Sequence, residues 1–327
     1  MPIFKFYKFR TSRHDKSPEL FSPNTPVSPS EPIYSTKALN ELLRTGGQID
    51  LAVPKDTQNN EFEIFHCQTL RNDGEVALMV LENNKCKHTT INMKDVEHEH
   101  HPFCHVILDY RPGHQHIGIE RNPAFGKNTD KVANILRTGL SFKLHEYRCK
   151  MDIERLAKKN TELWNVVDEV IDTFDDRVTR IQLDYQGDSA DGNEVNRMLG
   201  GMLMLAKKSD SDALFALNEK TPNGVKIDDI RTDMQHIATM CLKSPDYTLA
   251  VKFKNFGVYR YGADLMAQFG MDDYVMNDFA TGKTIMNFDT GQPDYDLKLW
   301  LDRLGRLMTK DYKNEPLQST RTRRRRR

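Results

Sequence analysis

Six of the chain's eleven histidines fall between His98 and His116, in the run EHEHHPFCHVILDYRPGHQHIGIE. Imidazole is the commonest metal ligand, and it ordinarily titrates near neutral pH. Asp109 and Glu120 add carboxylates to the same run, and histidine with carboxylate suits zinc or manganese. These groups act together only if the backbone brings them to one face. Strands at 104–110 and 114–120, flanking Arg111-Pro112-Gly113, read as a β-hairpin. With Pro112-Gly113 as the loop, Asp109 lies opposite His116 and His105 opposite Glu120. One face then carries His105, Asp109, Arg111, His114, His116 and Glu120, and the other Val106, Leu108, Tyr110, Ile117 and Ile119. A three-residue loop instead sets His114 and His116 beside Leu108 and Val106 and breaks the cluster. Pro-Gly favours a type II turn, whose twist fits a two-residue hairpin poorly. Two expectations stand side by side. One is a divalent metal on His114, His116, Asp109 and Glu120, serving a hydrolase. The other is a solvated sheet face with no cofactor.

The spacing Asp109…Glu120-Arg121-Asn122 resembles the hairpin of the PD-(D/E)xK nucleases, where acids on successive strands hold Mg²⁺. The family's lysine, two residues after the second acid, falls here on Asn122. His98, His100 and His101 lie in a charged stretch before Pro102 and read as an exposed connector.

A second chemistry is suggested by cations interleaved with aromatics. Lys252, Lys254 and Arg260 alternate with Phe253, Phe256, Tyr259 and Tyr261. Lys5, Lys8 and Arg10 stand among Phe4, Phe6, Tyr7 and Phe9. Such strands stack bases and neutralise phosphate, and equally they can be core aromatics with solvent-facing lysines. The run that contains Arg323, Arg324 and Arg325 is a polycation without structure that grips nucleic acid or an acidic partner by counterion release.

Other patterns carry less chemistry. Ala280-Thr-Gly-Lys-Thr284 resembles a phosphate loop, but Asn277 stands where the P-loop has its first glycine, so a turn is expected. Asp184, Asp188 and Asp191 follow a strand and could hold a hard cation or supply turn residues. Met198, Met202 and Met204 make 193–207 an apolar helix, a core element or an oligomer contact. Gly-x-Ser-x-Gly, His-Glu-x-x-His, Rossmann and kinase signatures are absent from the sequence.

The elements that would position these groups follow from periodicity. Strands are predicted at 3–10, 61–70, 75–81, 178–185, 247–253 and 258–261, and helices at 36–45, 130–140, 161–174, 193–207, 211–219, 227–243 and 294–309, the last capped by Asp294. Residues 11–32, with five prolines, read as a loop or disordered insertion. The fold class is α+β: an antiparallel β-rich domain over 1–125, a helical α+β domain over 126–312, and a basic disordered tail over 313–327. At 327 residues and 38% hydrophobic content the chain can build a sizeable core. No stretch reads as a membrane span or signal peptide, and five scattered cysteines without C-x-x-C read as reduced thiols, so a cytoplasmic protein is expected. Net charge is zero, but 321–327 holds six arginines, leaving the other 320 residues at −6. Nucleic-acid binding must then be local.

The basic–aromatic start IFKFYKFR, the hairpin CHVILDYRPGHQHIGIE, Phe125 with Val132-Ala-Asn-Ile-Leu, and a Trp-bearing helix leading to IQLDY together resemble uncharacterised bacterial proteins of mobile elements and phage-defence islands. The resemblance covers about residues 1–190. It implies a cytosolic defence or mobile-element setting and assigns no functional residue. The leading expectation is a non-enzymatic binding protein contacting nucleic acid or a partner protein, with self-association as a further option. The alternatives are the metal-dependent hydrolase and a structural oligomerisation subunit.

Overall fold

The computed structural model describes residues 2–13, 32–56, 61–83, 85–91, 94–100, 102–158, 163–185, 213–244, 246–263, 266–283 and 296–317. Antiparallel strands and helices combine in an α+β protein. Two compact units are interleaved in sequence, one built mainly from Lys5–Arg155 and the other from Leu156–Val275 joined by Met1–Phe4 and Gly291–Lys313.

In the Lys5–Arg155 unit the chain runs β1 (Ile3–Arg13), α1 (Pro32–Leu42), β2 (Gln48–Asp56), β3 (Glu61–Asn72), β4 (Val76–Glu82), β5 (Lys85–Ile91), β6 (Lys94–His100), β7 (Phe103–Asp109), β8 (His116–Glu120), α2 (Thr129–Leu144) and β9 (Cys149–Lys158). Strand order is β1-β8-β7-β4-β3-β2, and β9 pairs antiparallel with the Tyr7–Arg13 part of β1. The run VALMVL makes β4 apolar on both sides, which suits a central strand. Helix α2 covers one face through Val132, Leu136 and Leu140. Its first turn is tied to β1, because the Tyr7 hydroxyl bonds to Thr129 at 2.7 Å and Asp130 at 2.9 Å. Gly118 of β8 has no side chain for a reason: a Cβ there would sit 3.0 Å from the Phe6 ring.

In the Leu156–Val275 unit the elements are α3 (Leu163–Phe174), β10 (Val178–Tyr185), β11 (Ala213–Asn218), α4 (Ile227–Lys243), β12 (Tyr247–Phe253), β13 (Val258–Gly262) and β14 (Gln268–Gly270). Then follow α5 (Asp273–Thr281), α6 (Leu297–Asp311) and β15 (Tyr312–Pro316). The antiparallel order is β11-β10-β12-β13-β14. An aromatic core of Phe253, Phe256, Tyr259 and Phe269 fills one face, and Trp300 of α6 donates its indole N–H to the Phe256 carbonyl at 2.9 Å. The β12–β13 turn needs Gly257, with φ +98°, where a Cβ would lie 2.3 Å from the Gly270 carbonyl oxygen.

Several expectations change. Residues 213–218 are a strand, not part of a helix over 211–219: six residues pair with β10 in continuous register. The connector reading of His98 and His100 gives way to β6, whose backbone pairs with β5 in a register that sets position 98 opposite 87 and 100 opposite 85. The cap of α6 is Asp296, which accepts from the Leu299 N–H at 2.8 Å. Strands β2, β5, β9, β14 and β15 and helix α5 lie outside the predicted elements, and β15, paired with β9, occupies 312–316 where the disordered tail was expected to begin. The helix over 193–207, Asp188, Asp191, His101, most of 11–32, and Arg323, Arg324 and Arg325 lie outside the described residues.

Candidate functional site

The histidine hairpin adopts the register that unites its polar face: Asp109 pairs with His116, Leu108 with Ile117 and Val106 with Ile119. The connection is wider than Pro112-Gly113, because the ladder ends at Asp109 and restarts at His116. Within it Arg111-Pro112-Gly113-His114 closes a turn, the His114 N–H donating to the Arg111 carbonyl at 3.0 Å with Gly113 at φ +85° as a type II turn requires, and Gln115 at φ +51° widens the loop.

One face does not make one site. Asp109, fully buried, accepts from the Arg111 guanidinium at 2.9 and 2.7 Å and from the Arg111 backbone N–H at 3.2 Å. The His114 ring lies 3.5 Å from the same carboxylate. Four residues along β8 from His116, Glu120 bonds instead to the His105 ring at 2.8 Å, the His105 backbone N–H at 2.9 Å and Asn122 at 3.1 Å. Four residues of strand span roughly 13 Å, so Glu120 and Asp109 cannot close on one ion. The structure therefore does not bring His114, His116, Asp109 and Glu120 together as one ligand set. Among the described residues no three His, Cys, Asp or Glu side chains converge as ligands. Asn122, at the nuclease lysine's place, accepts from the Ala124 N–H in a capping turn.

Electrostatics agree with closed pairs. Burial, then Lys8, His114 and Arg111, push the His116 ring down to about 3, so it is neutral at ordinary pH. Burial raises the Glu120 carboxyl, but the His105 and Asn122 hydrogen bonds outweigh it and leave the group below the ordinary carboxylate value.

The basic–aromatic strands separate into their two parts. Tyr259 is no stacking platform: its ring is buried beside Phe269, with the Lys158 ammonium 4.9 Å from its centroid. Phe253, Phe256 and Tyr261 are buried likewise. In β1, Phe4, Phe6, Tyr7 and Phe9 are all core. Lys8 donates to the His114 carbonyl, Arg10 lies 3.9 Å from Glu154, and Lys5 is half-buried. Of these three cations on β1, only Arg10 is exposed.

The other face of β10, β12 and β13 differs. Register sets Arg180 directly across from Lys252, and Gln182, Ala250 and Arg260 in the next row. In the row after that stand Asp184 and Thr248. Arg260 reaches Asp184 at 3.0 Å, and Gln182 donates to that carboxylate at 2.6 Å. Among the described residues neither Arg180 nor Lys252 meets a carboxylate, and the buried Arg180 Nε has no hydrogen-bond partner. Lys254, just past β12, is exposed. Three cations thus share a half-buried face with one carboxylate. Arg180 is the residue sequence reasoning missed. It alternates correctly within its strand, but only cross-strand register brings it to a residue 72 positions away.

The phosphate-loop resemblance fails because Asn277 lies inside α5, and Gly282, φ +70°, ends that helix. On the opposite face of β10 and β11, Ile181, Phe215, Leu217, Met234 and Ile237 line an apolar groove of about 330 Å³ beside α4. No helix among the described residues is long and apolar enough to cross a membrane. Compared with known proteins, the chain matches no family model and no curated protein.

Proposed function

We propose that the chain is a non-enzymatic, cytosolic binding protein of a bacterial defence or mobile-element system, and that it contacts nucleic acid. The observation that carries this reading is the pair Arg180 and Lys252, like charges directly opposite on neighbouring strands with no carboxylate between them. Such a pair opposes folding, and a bound polyanion relieves it. Lys254 and Arg260 extend the same surface, and the arginine run at 323–327 supplies a further grip. The reading keeps a β-rich N-terminal part followed by a helical α+β part, and it needs no cofactor.

Fluorescence anisotropy with labelled DNA and RNA at low salt tests it. The full chain binds, and the double variant Lys252→Gln/Lys254→Gln lowers the slope of log affinity against log salt by about two. Undetectable binding of either nucleic acid overturns the reading.

A further inference from the structure

The same face says which feature of a nucleic acid it would read. Base recognition on a sheet surface requires aromatic rings presented to the ligand. Here every aromatic of β12 and β13, namely Tyr247, Phe253, Tyr259 and Tyr261, is in the buried core. The rows bearing Arg180, Lys252 and Arg260 offer Val258, Gln182 and Ala250 as their neighbours on these strands, and none of these is aromatic. Asp184 already takes one Arg260 N–H and the Gln182 amide, which leaves Arg180 and Lys252 as the groups with unmet charge.

We infer that Arg180 and Lys252 form a phosphate clamp that engages the backbone of a nucleic-acid duplex without stacking its bases. The inference rests on the nucleic-acid reading above and narrows it. Two cations side by side on adjacent strands match an oxyanion with several equivalent acceptors. The planar guanidinium of Arg180 gives paired donors and Lys252 a point charge. Recognition through charge alone favours the form with more phosphate per unit length, which is the duplex. Sequence composition of the duplex does not enter.

A 20-base-pair duplex and its two separated strands, equally labelled, are titrated with the full chain across a salt series. The duplex is expected to bind at least as tightly as either strand. Arg180→Gln and Lys252→Gln each lower the salt slope by about one, and each weakens affinity about eightfold at 0.1 M salt, the effect of losing one phosphate contact. Arg180→Lys, which keeps the charge, retains the slope, and thermal unfolding of each variant verifies its fold. A single strand bound tenfold more tightly than the duplex overturns the clamp while leaving the nucleic-acid reading intact. So does duplex binding unchanged in both Gln variants, since the contact then lies elsewhere. Equal affinity for polyglutamate also overturns it, because the surface would then serve an acidic protein. Failure to bind any nucleic acid removes the broader reading, and the clamp with it.

Discussion

The hairpin of β7 and β8 and the face of β10, β12 and β13 are both polar surfaces of antiparallel sheet, yet their charges are arranged in opposite ways. In the hairpin each carboxylate is matched by a neighbour on the same two strands or their loop: Asp109 to Arg111 and His114, Glu120 to His105. On the other face one carboxylate, Asp184, stands among three cations and pairs with Arg260 alone. The richer collection of ligand-type residues is therefore the more nearly finished one, with both of its carboxylates engaged inside the hairpin. The plainer collection is incomplete. A site for an outside group is marked by charge the fold leaves unbalanced, more than by the density of histidine and acid.

Breaking the hairpin's internal match gives the largest effect. Asp109→Asn removes the charge that holds the Arg111 guanidinium and the His114 ring, and it is expected to destabilise the protein by about 3 kcal/mol in urea unfolding. A change below 1 kcal/mol would mean that the hairpin is not internally closed. Next, taken per pH unit, is the response to acid. His116 has its folded pKa depressed to about 3 from 6.5. Its contribution to stability is whole above pH 6.5 and is lost as pH falls from 6.5 toward 3, at roughly 1.4 kcal/mol per pH unit. His116→Gln lacks this component, so unfolding curves at pH 7, 6, 5 and 4 should show a shallower decline than wild type. Parallel declines would contradict the buried neutral imidazole. The smallest effect has the opposite sign. Lys252→Gln removes one of two like charges paired across the strands and raises stability by a few tenths of a kcal/mol, up to about 0.5. A loss of 1 kcal/mol or more would show that Lys252 holds the fold, and would erase the contrast between the two faces.

Legibility in the sequence followed the same division. Strand β12 was plain because Tyr247, Leu249, Val251 and Phe253 alternate with polar residues, and all four are core. The hairpin register was legible as one of two choices, since only one sorted the polar from the apolar side chains. Strand β11 was not, because ALFAL is short and apolar throughout, and such a run is equally a turn of buried helix. Strand β9, KMDIERLAK, hides behind its charges and is defined by pairing with β1, where Arg155 meets Tyr7. The candidate site was half legible. Lys252, Lys254 and Arg260 were visible as local cations, but their aromatic neighbours gave a false promise of stacking, because alternation cannot say which face is covered. Arg180 required the three-dimensional register.

The start of β1 has a consequence for how the chain is made. Pro2 accepts from the Met271 N–H, and Phe4 packs edge-on against Trp300. On a ribosome adding about 5–20 residues per second, those partners emerge tens of seconds after β1 itself. Through that interval an aromatic, strand-forming segment stands open to other nascent chains. Lys5 and Lys8, set between Phe4, Phe6 and Phe9, interrupt it with charge in the manner of gatekeeper residues.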